Sequence, residues 1–161
     1  MVSGGGLYAV DANVTVVGCA FEDNFAVKSG GGIFANGSRL IVRDTAFRRC
    51  SAGLVPDAGA EDVDAEGGAV QVENTDILVD GCLFEECYAS WRGGALHHDS
   101  GNLSVVNSTF LNNSAGSDNV KDVMSTGEGG ALSVALCDQG FEQLGACGVN
   151  DSSFVGNHVA R

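Results

Sequence analysis

The stretch EGGAVQVENTDILVDGCLFEEC, Glu66 to Cys87, decides the fold. A glycine pair opens it, two short runs of alternating apolar residues follow, and Phe84 then precedes Cys87 by three positions. The next stretch, RGGALHHDSGNLSVVNSTFLNN from Arg92 to Asn113, repeats that plan with mostly different residues. Glycine pairs begin at Gly4, Gly30, Gly67, Gly93 and Gly129, and the matching phenylalanines are Phe21, Phe47, Phe84, Phe110 and Phe154. Glycine and phenylalanine stand 17 residues apart in the first four copies and 25 apart in the fifth. Copies follow one another at 26, 37, 26 and 36 residues, a base period of 26 with two insertions. Self-similarity at such a period marks stacked structural units.

Each copy alternates like a strand and lacks the period of a helix. Val70 and Val72 point inward, matched by Leu7/Ala9, Ile33/Ala35, Leu96/His98 and Leu132/Val134. A second segment alternates at Ile77/Val79, matched by Val14/Val16, Leu40/Val42 and Leu103/Val105. Then comes Gly18, Asp44, Gly81 or Asn107, residue types that tolerate a left-handed bend. The sequence therefore predicts an all-β fold, a right-handed parallel β-helix of about five coils over residues 1–161. Like residues stack over like residues at ~4.8 Å, with the glycines at one corner and a phenylalanine ladder inside. Five coils span about 20–25 Å. Inserted loops are expected at about 54–65, 116–127 and 137–147. The stretch Met1–Val10 has neither the basic start nor the apolar core of a signal peptide, and the repeat is under way at Gly4. With no evident cap at either end, the expectation is a β-helix segment of a longer chain.

The GGA[ILV] element at Gly67, Gly93 and Gly129, and the FxxN element at Phe21, Phe110 and Phe154, resemble the repeats of chlamydial polymorphic outer membrane proteins. GGGL, GGGI, FRRC and FEEC are variants of the same two elements. The resemblance implies a pectin-lyase-like parallel β-helix, surface-exposed and adhesive.

The formal net charge is −13, which disfavours a nucleic acid partner, and no apolar run approaches the length of a membrane span. Six cysteines point to an oxidising compartment. Cys50 and Cys87 hold the same place in adjacent coils, within disulfide reach, and Cys137 and Cys147 share one inserted loop. Cys19 and Cys82 lie two coils apart and are read as small buried packing residues. No cysteine–histidine spacing suggests zinc. Glycosylation sequons begin at Asn13, Asn36, Asn102, Asn107, Asn112 and Asn150, where composition alone would give roughly one. An extracellular or cell-surface location follows from these together. Solenoid corners also favour Asn, Ser and Thr for conformational reasons.

One outward face collects functional groups: Tyr8, Phe34, Gln71, His97 and Ser133 in one column, and Val10, Asn36, Glu73, Asp99 and Ala135 two residues on. His97, Asp99, Glu73 and Arg92 are the candidates for a carbohydrate-cleaving cluster, since glycoside hydrolysis needs paired carboxylates. Tyr8 and Phe34 offer rings to a sugar. Charges on an exposed strand face are equally what a solvated face carries, and His98 reads as a core histidine with satisfied nitrogens. The acidic insertion places Asp57, Glu61, Asp62 and Asp64 together as weak calcium candidates; no other cofactor is indicated. The reading that results is non-enzymatic: an adhesive or stalk-like solenoid whose partner is an extracellular protein, a carbohydrate, or neighbouring coils of the same longer chain. A pectin-lyase-like polysaccharide lyase or glycoside hydrolase is the alternative.

Overall fold

The computed structural model describes residues 3–53, 64–116, 128–137 and 147–159. Among them every regular element is a β-strand, twenty in all, arranged as four parallel sheets of five. Each of five coils contributes one strand to each sheet, so the chain winds as a parallel β-helix with four walls. The first sheet stacks Leu7–Val10, Ile33–Asn36, Val70–Glu73, Leu96–His98 and Leu132–Val134. The second stacks Asn13–Val17, Arg39–Arg43, Asp76–Asp80, Leu103–Val106 and Gly148–Asn150. The third is the phenylalanine wall: Ala20–Glu22, Ala46–Arg48, Leu83–Glu85, Thr109–Leu111 and Ser153–Val155. The fourth wall was not anticipated from the sequence. Its strands are two residues long: Phe25–Ala26, Ser51–Ala52, Tyr88–Ala89, Ser114–Ala115 and His158–Val159.

The register is the one the repeat prescribes. Ile33 pairs with Val70 across a 37-residue spacing, and Val70 pairs with Leu96 across 26, so the extra residues leave the ladder untouched. Inside, the five phenylalanines stack with ring centroids 5.0, 4.8, 4.6 and 4.6 Å apart. Ile33, Leu40, Val42, Val70, Leu96 and Val105 fill the remaining interior and are wholly buried.

The paired glycines do two different jobs. Gly67 sits at φ +62°, where a side chain would also strike the backbone of Val70 and Gln71. Gly94 has ordinary φ, yet a Cβ there would run into the carbonyl oxygens of Gly130 in the next coil and Ser114 in the fourth wall. The first glycine is required by conformation and the second by close approach of three backbones.

The other corners are closed by small polar side chains that reach between coils. Ser108 Oγ accepts the Cys82 amide, and Ser152 Oγ accepts that of Ser108, at 3.1 Å each. Three residues after each phenylalanine, Asn113 Oδ1 accepts the Cys87 amide at 2.9 Å while Asn113 Nδ2 donates to the Phe84 carbonyl at 3.0 Å. That double role explains the asparagine of FxxN: it satisfies a donor and an acceptor that would otherwise be buried unpaired.

Cys50 and Cys87 take this same place. Their thiols donate to the carbonyls of Phe21 at 3.3 Å and Phe47 at 3.6 Å. Contrary to the expected disulfide, both carry free thiols and are buried side by side. Cys82 is buried as read, but Cys19, in the first coil, is exposed. Cys137 and Cys147 are joined by a disulfide, with Cα atoms 5.8 Å apart. A further corner, two residues after each phenylalanine, holds Asp23, Arg49, Glu86 and Asn112 at φ between 50° and 54°. Arg49 and Glu86 are unusual there. Arg49 offsets some strain by gripping Asp23 of the coil above at 2.7 and 2.9 Å.

Candidate functional site

The candidate site lies on the outward side of the first sheet. In-register stacking lines up Tyr8, Phe34, Gln71, His97 and Ser133. The sequence reading expected this strip to be exposed. Tyr8 is, at 61%, but Phe34, Gln71 and His97 are only 7%, 0% and 2% accessible. Each middle side chain is roofed by the like-placed residue of the coils above and below, and a second column stands beside the strip.

That second column is formed by the residue before each glycine pair. Ser3, Ser29, Glu66, Arg92 and Glu128 are joined by parallel bridges, coil to coil. Arg92 lies between two carboxylates: its Nη1 is 3.8 Å from Glu66 Oε1 and its Nε is 2.9 Å from Glu128 Oε2, an ion pair out of line for a hydrogen bond. Its guanidinium also caps the Trp91 ring at 3.6 Å, a cation–π contact. Glu66 Oε2 receives a hydrogen bond from Gln71 Nε2 at 3.3 Å and lies 3.7 Å from His97 Nε2. Glu73 is held on the other side, accepting a hydrogen bond from Asn36 Nδ2 at 2.8 Å.

The electrostatics follow from burial. Burial pushes His97 down to about 4, the nearby Asp99 only partly opposing it, so the ring is neutral at pH 7 and its approach to Glu66 is not an ion pair there. Burial likewise lifts the Glu66 carboxyl; Arg92 pulls it back, and Asp99, Glu73 and Asp64 lift it further. Two buried polar atoms in the strip, Gln71 Oε1 and His97 Nδ1, have no hydrogen-bond partner.

Of the four residues proposed for cleavage, the fold thus gathers His97 and Arg92 around Glu66, places Asp99 within electrostatic range, and ties Glu73 to Asn36. Glu66, Glu128 and Gln71 are the members that the cluster reading missed. For Glu66 and Glu128 the signal was available, since the position just before each glycine pair is as regular as the pair itself, and Gln71 was already aligned in the strip. His98 faces the interior and is fully buried, but it is not satisfied as expected. Its ring nitrogens reach the backbone of Thr75 and His98 only at geometry too poor for hydrogen bonds.

An open groove of about 710 Å³ runs beside the strip, walled by Tyr8, Phe34 and Trp91 and by Asp64, Glu66 and Glu73. Of the calcium candidates, Asp57, Glu61 and Asp62 lie outside the described residues, and Asp64 is exposed on the groove. Among the described residues no cluster of three or more His, Cys, Asp or Glu side chains could hold a metal ion. Of the sequon asparagines, Asn13, Asn107, Asn112 and Asn150 are exposed, though Asn107 donates to Asp80. Asn36 and Asn102 are half-buried and bonded to Glu73 and Asp76 of adjacent coils.

Comparison with protein families gives a match to the model described as right handed beta helix region, over residues 2–132. Curated proteins and solved structures gave no match.

Proposed function

Since the chain belongs to the right-handed β-helix family, which includes both enzymes and non-enzymes, we propose that it works as a non-enzymatic, extracellular binding solenoid whose ligand, a carbohydrate, lies in the groove along the first sheet. The observation that carries this reading is the state of the residues that cleavage would need. His97 is buried, Arg92 is spent between two carboxylates and Trp91, and Glu73 is tied to Asn36. What the groove presents instead is aromatic and polar surface, as a binding site does. The likeness to adhesive outer-membrane repeats supports the same role, and the Cys137–Cys147 disulfide and exposed sequons support an extracellular place.

The test is a panel of neutral, acidic and amino-sugar oligosaccharides, scored for binding and for product release in parallel. Saturable binding without turnover is the expected result. Release of reducing or unsaturated ends, abolished in His97→Ala, would replace this reading with the lyase or hydrolase alternative. One feature favours that alternative: a half-buried carboxyl at Glu66, raised by burial above the ordinary carboxylate value, beside a neutral imidazole. Peptide mapping tests the location, with glycans expected first on Asn13, Asn112 and Asn150.

A further inference from the structure

We propose that Cys50 and Cys87 are a redox pair: a small-molecule disulfide oxidant closes a bond between them, clamping the second coil to the third, and a thiol reductant reopens it. The column three residues after each phenylalanine reads Asn24, Cys50, Cys87, Asn113 and Asn157. An asparagine here supplies two full hydrogen bonds, as Asn113 does, whereas a thiol gives a carbonyl only a weak donor. The corner alone therefore favours asparagine. The two cysteines that replace it are neighbours in the column, which is what a cross-link requires, and they bracket the first long insertion.

The geometry suits that bond. Paired residues Arg48 with Glu85 and Ser51 with Tyr88 flank the cysteines, so their Cα atoms stand one strand spacing apart, ~4.8 Å, inside the disulfide range. Both are buried, and the two thiols interact directly. The Cys87 thiol beside it lowers Cys50, whereas burial lifts Cys87. Cys50 is thus the sulfur that ionises first and attacks. The oxidant reaches it by local opening at this corner, where the flanking strands Ser51–Ala52 and Tyr88–Ala89 are only two residues long. The Cys50 thiolate, its proton released to water, attacks one sulfur of the oxidant and expels the other half as a thiolate, leaving a mixed disulfide. The Cys87 thiolate then attacks Cys50 Sγ and expels the second half. Two protein thiols become one disulfide, and one oxidant disulfide becomes two thiols. The closed bond spans 37 residues of chain.

The test equilibrates the whole chain in buffers of graded reduced and oxidised glutathione, then maps peptides without reduction and records thermal melts. A Cys50–Cys87 linked peptide should grow with the oxidised share and vanish on return to reduced glutathione. Its formation should raise the melting temperature by roughly 5–10 °C. Cys50→Asn together with Cys87→Asn restores the asparagine column and should make the melt independent of the glutathione ratio. Thiols that stay unlinked even when the chain is refolded in oxidised glutathione would overturn the proposal. So would links from either cysteine to Cys19 or Cys82 in place of each other. A link that prolonged exposure to reduced glutathione does not reopen would overturn its reversibility. A linked chain that melts no higher than the reduced one would overturn the clamp.

Discussion

The fourth and fifth coils carry the same phenylalanine in the same geometry, yet they are different objects energetically. The rings of Phe110 and Phe154 lie 4.6 Å apart and within 1° of parallel, as well aligned as the rings of Phe84 and Phe110. Phe84 and Phe110 are wholly buried, whereas Phe154 is 45% exposed, along with Val149, Val155 and Val159. Backbone register fixes where a side chain goes, and one neighbouring coil suffices for that. Burial needs a neighbour on both sides. Stability in such a molecule is a sum over coil-to-coil contacts, and a coil stacked on both sides contributes two of them.

The sharpest way to break the contrast is at the second glycine. Gly94→Ala should cost at least about 3 kcal/mol and disrupt cooperative urea unfolding, because two carbonyl oxygens occupy the space. Gly148→Ala, in the fifth coil, meets nothing closer than Asn150 Nδ2 at 3.5 Å and should stay within about 0.5 kcal/mol. Equal losses would mean that close approach of backbones is not what makes the second glycine necessary, a need Gly130 in the fifth coil shares, with the His158 carbonyl in the way. Next in size, Phe84→Ala should cost about 3–5 kcal/mol and Phe154→Ala roughly half as much or less, read from urea midpoints.

Acid should act on the middle as well. Burial lowers both His97 and His98, so the unfolded chain takes up protons first, at about 6.5. Their contribution is complete above that pH and declines as pH falls towards about 4. Glu66 works with the opposite sign: its raised native value favours folding at low pH and that contribution is lost as pH rises. Urea midpoints should fall between pH 7 and 5, and His98→Leu should flatten that slope. A slope unchanged in His98→Leu would show that the buried ring is not what titrates. The smallest effect belongs to the thiols. Replacing Cys50 and Cys87 together by Asn rebuilds the amide ladder and should be neutral within about 1 kcal/mol, whereas Cys87→Ala alone, losing the donor to Phe47, should cost about 1–2 kcal/mol.

The same unevenness governs what could be read from the sequence. The coil, its inward columns and the phenylalanine ladder were legible because each is a repeated residue type at a fixed spacing. The fourth wall was not, since two-residue strands such as Ser51–Ala52 are too short to show alternation. Nor was the bend at Arg49 and Glu86, whose types do not announce a left-handed backbone. At the site, Tyr8 through Ser133 were correctly aligned, but alternation tells inside from outside and says nothing of what roofs an outward residue. Hence Gln71 and His97 were placed on the right face and given the wrong environment. The thiols were placed correctly too. Only the carbonyls of Phe21 and Phe47 reveal that Cys50 and Cys87 stand in for asparagine.

The indifference of the register to spacing has a consequence for how such a molecule can change. Coils 37 residues apart pair as exactly matched neighbours, just as those 26 apart do. Lengthening a closed loop from 26 to 37 residues raises its entropic cost by only about 0.3 kcal/mol. The first long insertion returns at Asp64, on the rim of the groove. Chain length can therefore change beside the groove, by insertion or deletion, on a scaffold whose register need not adjust.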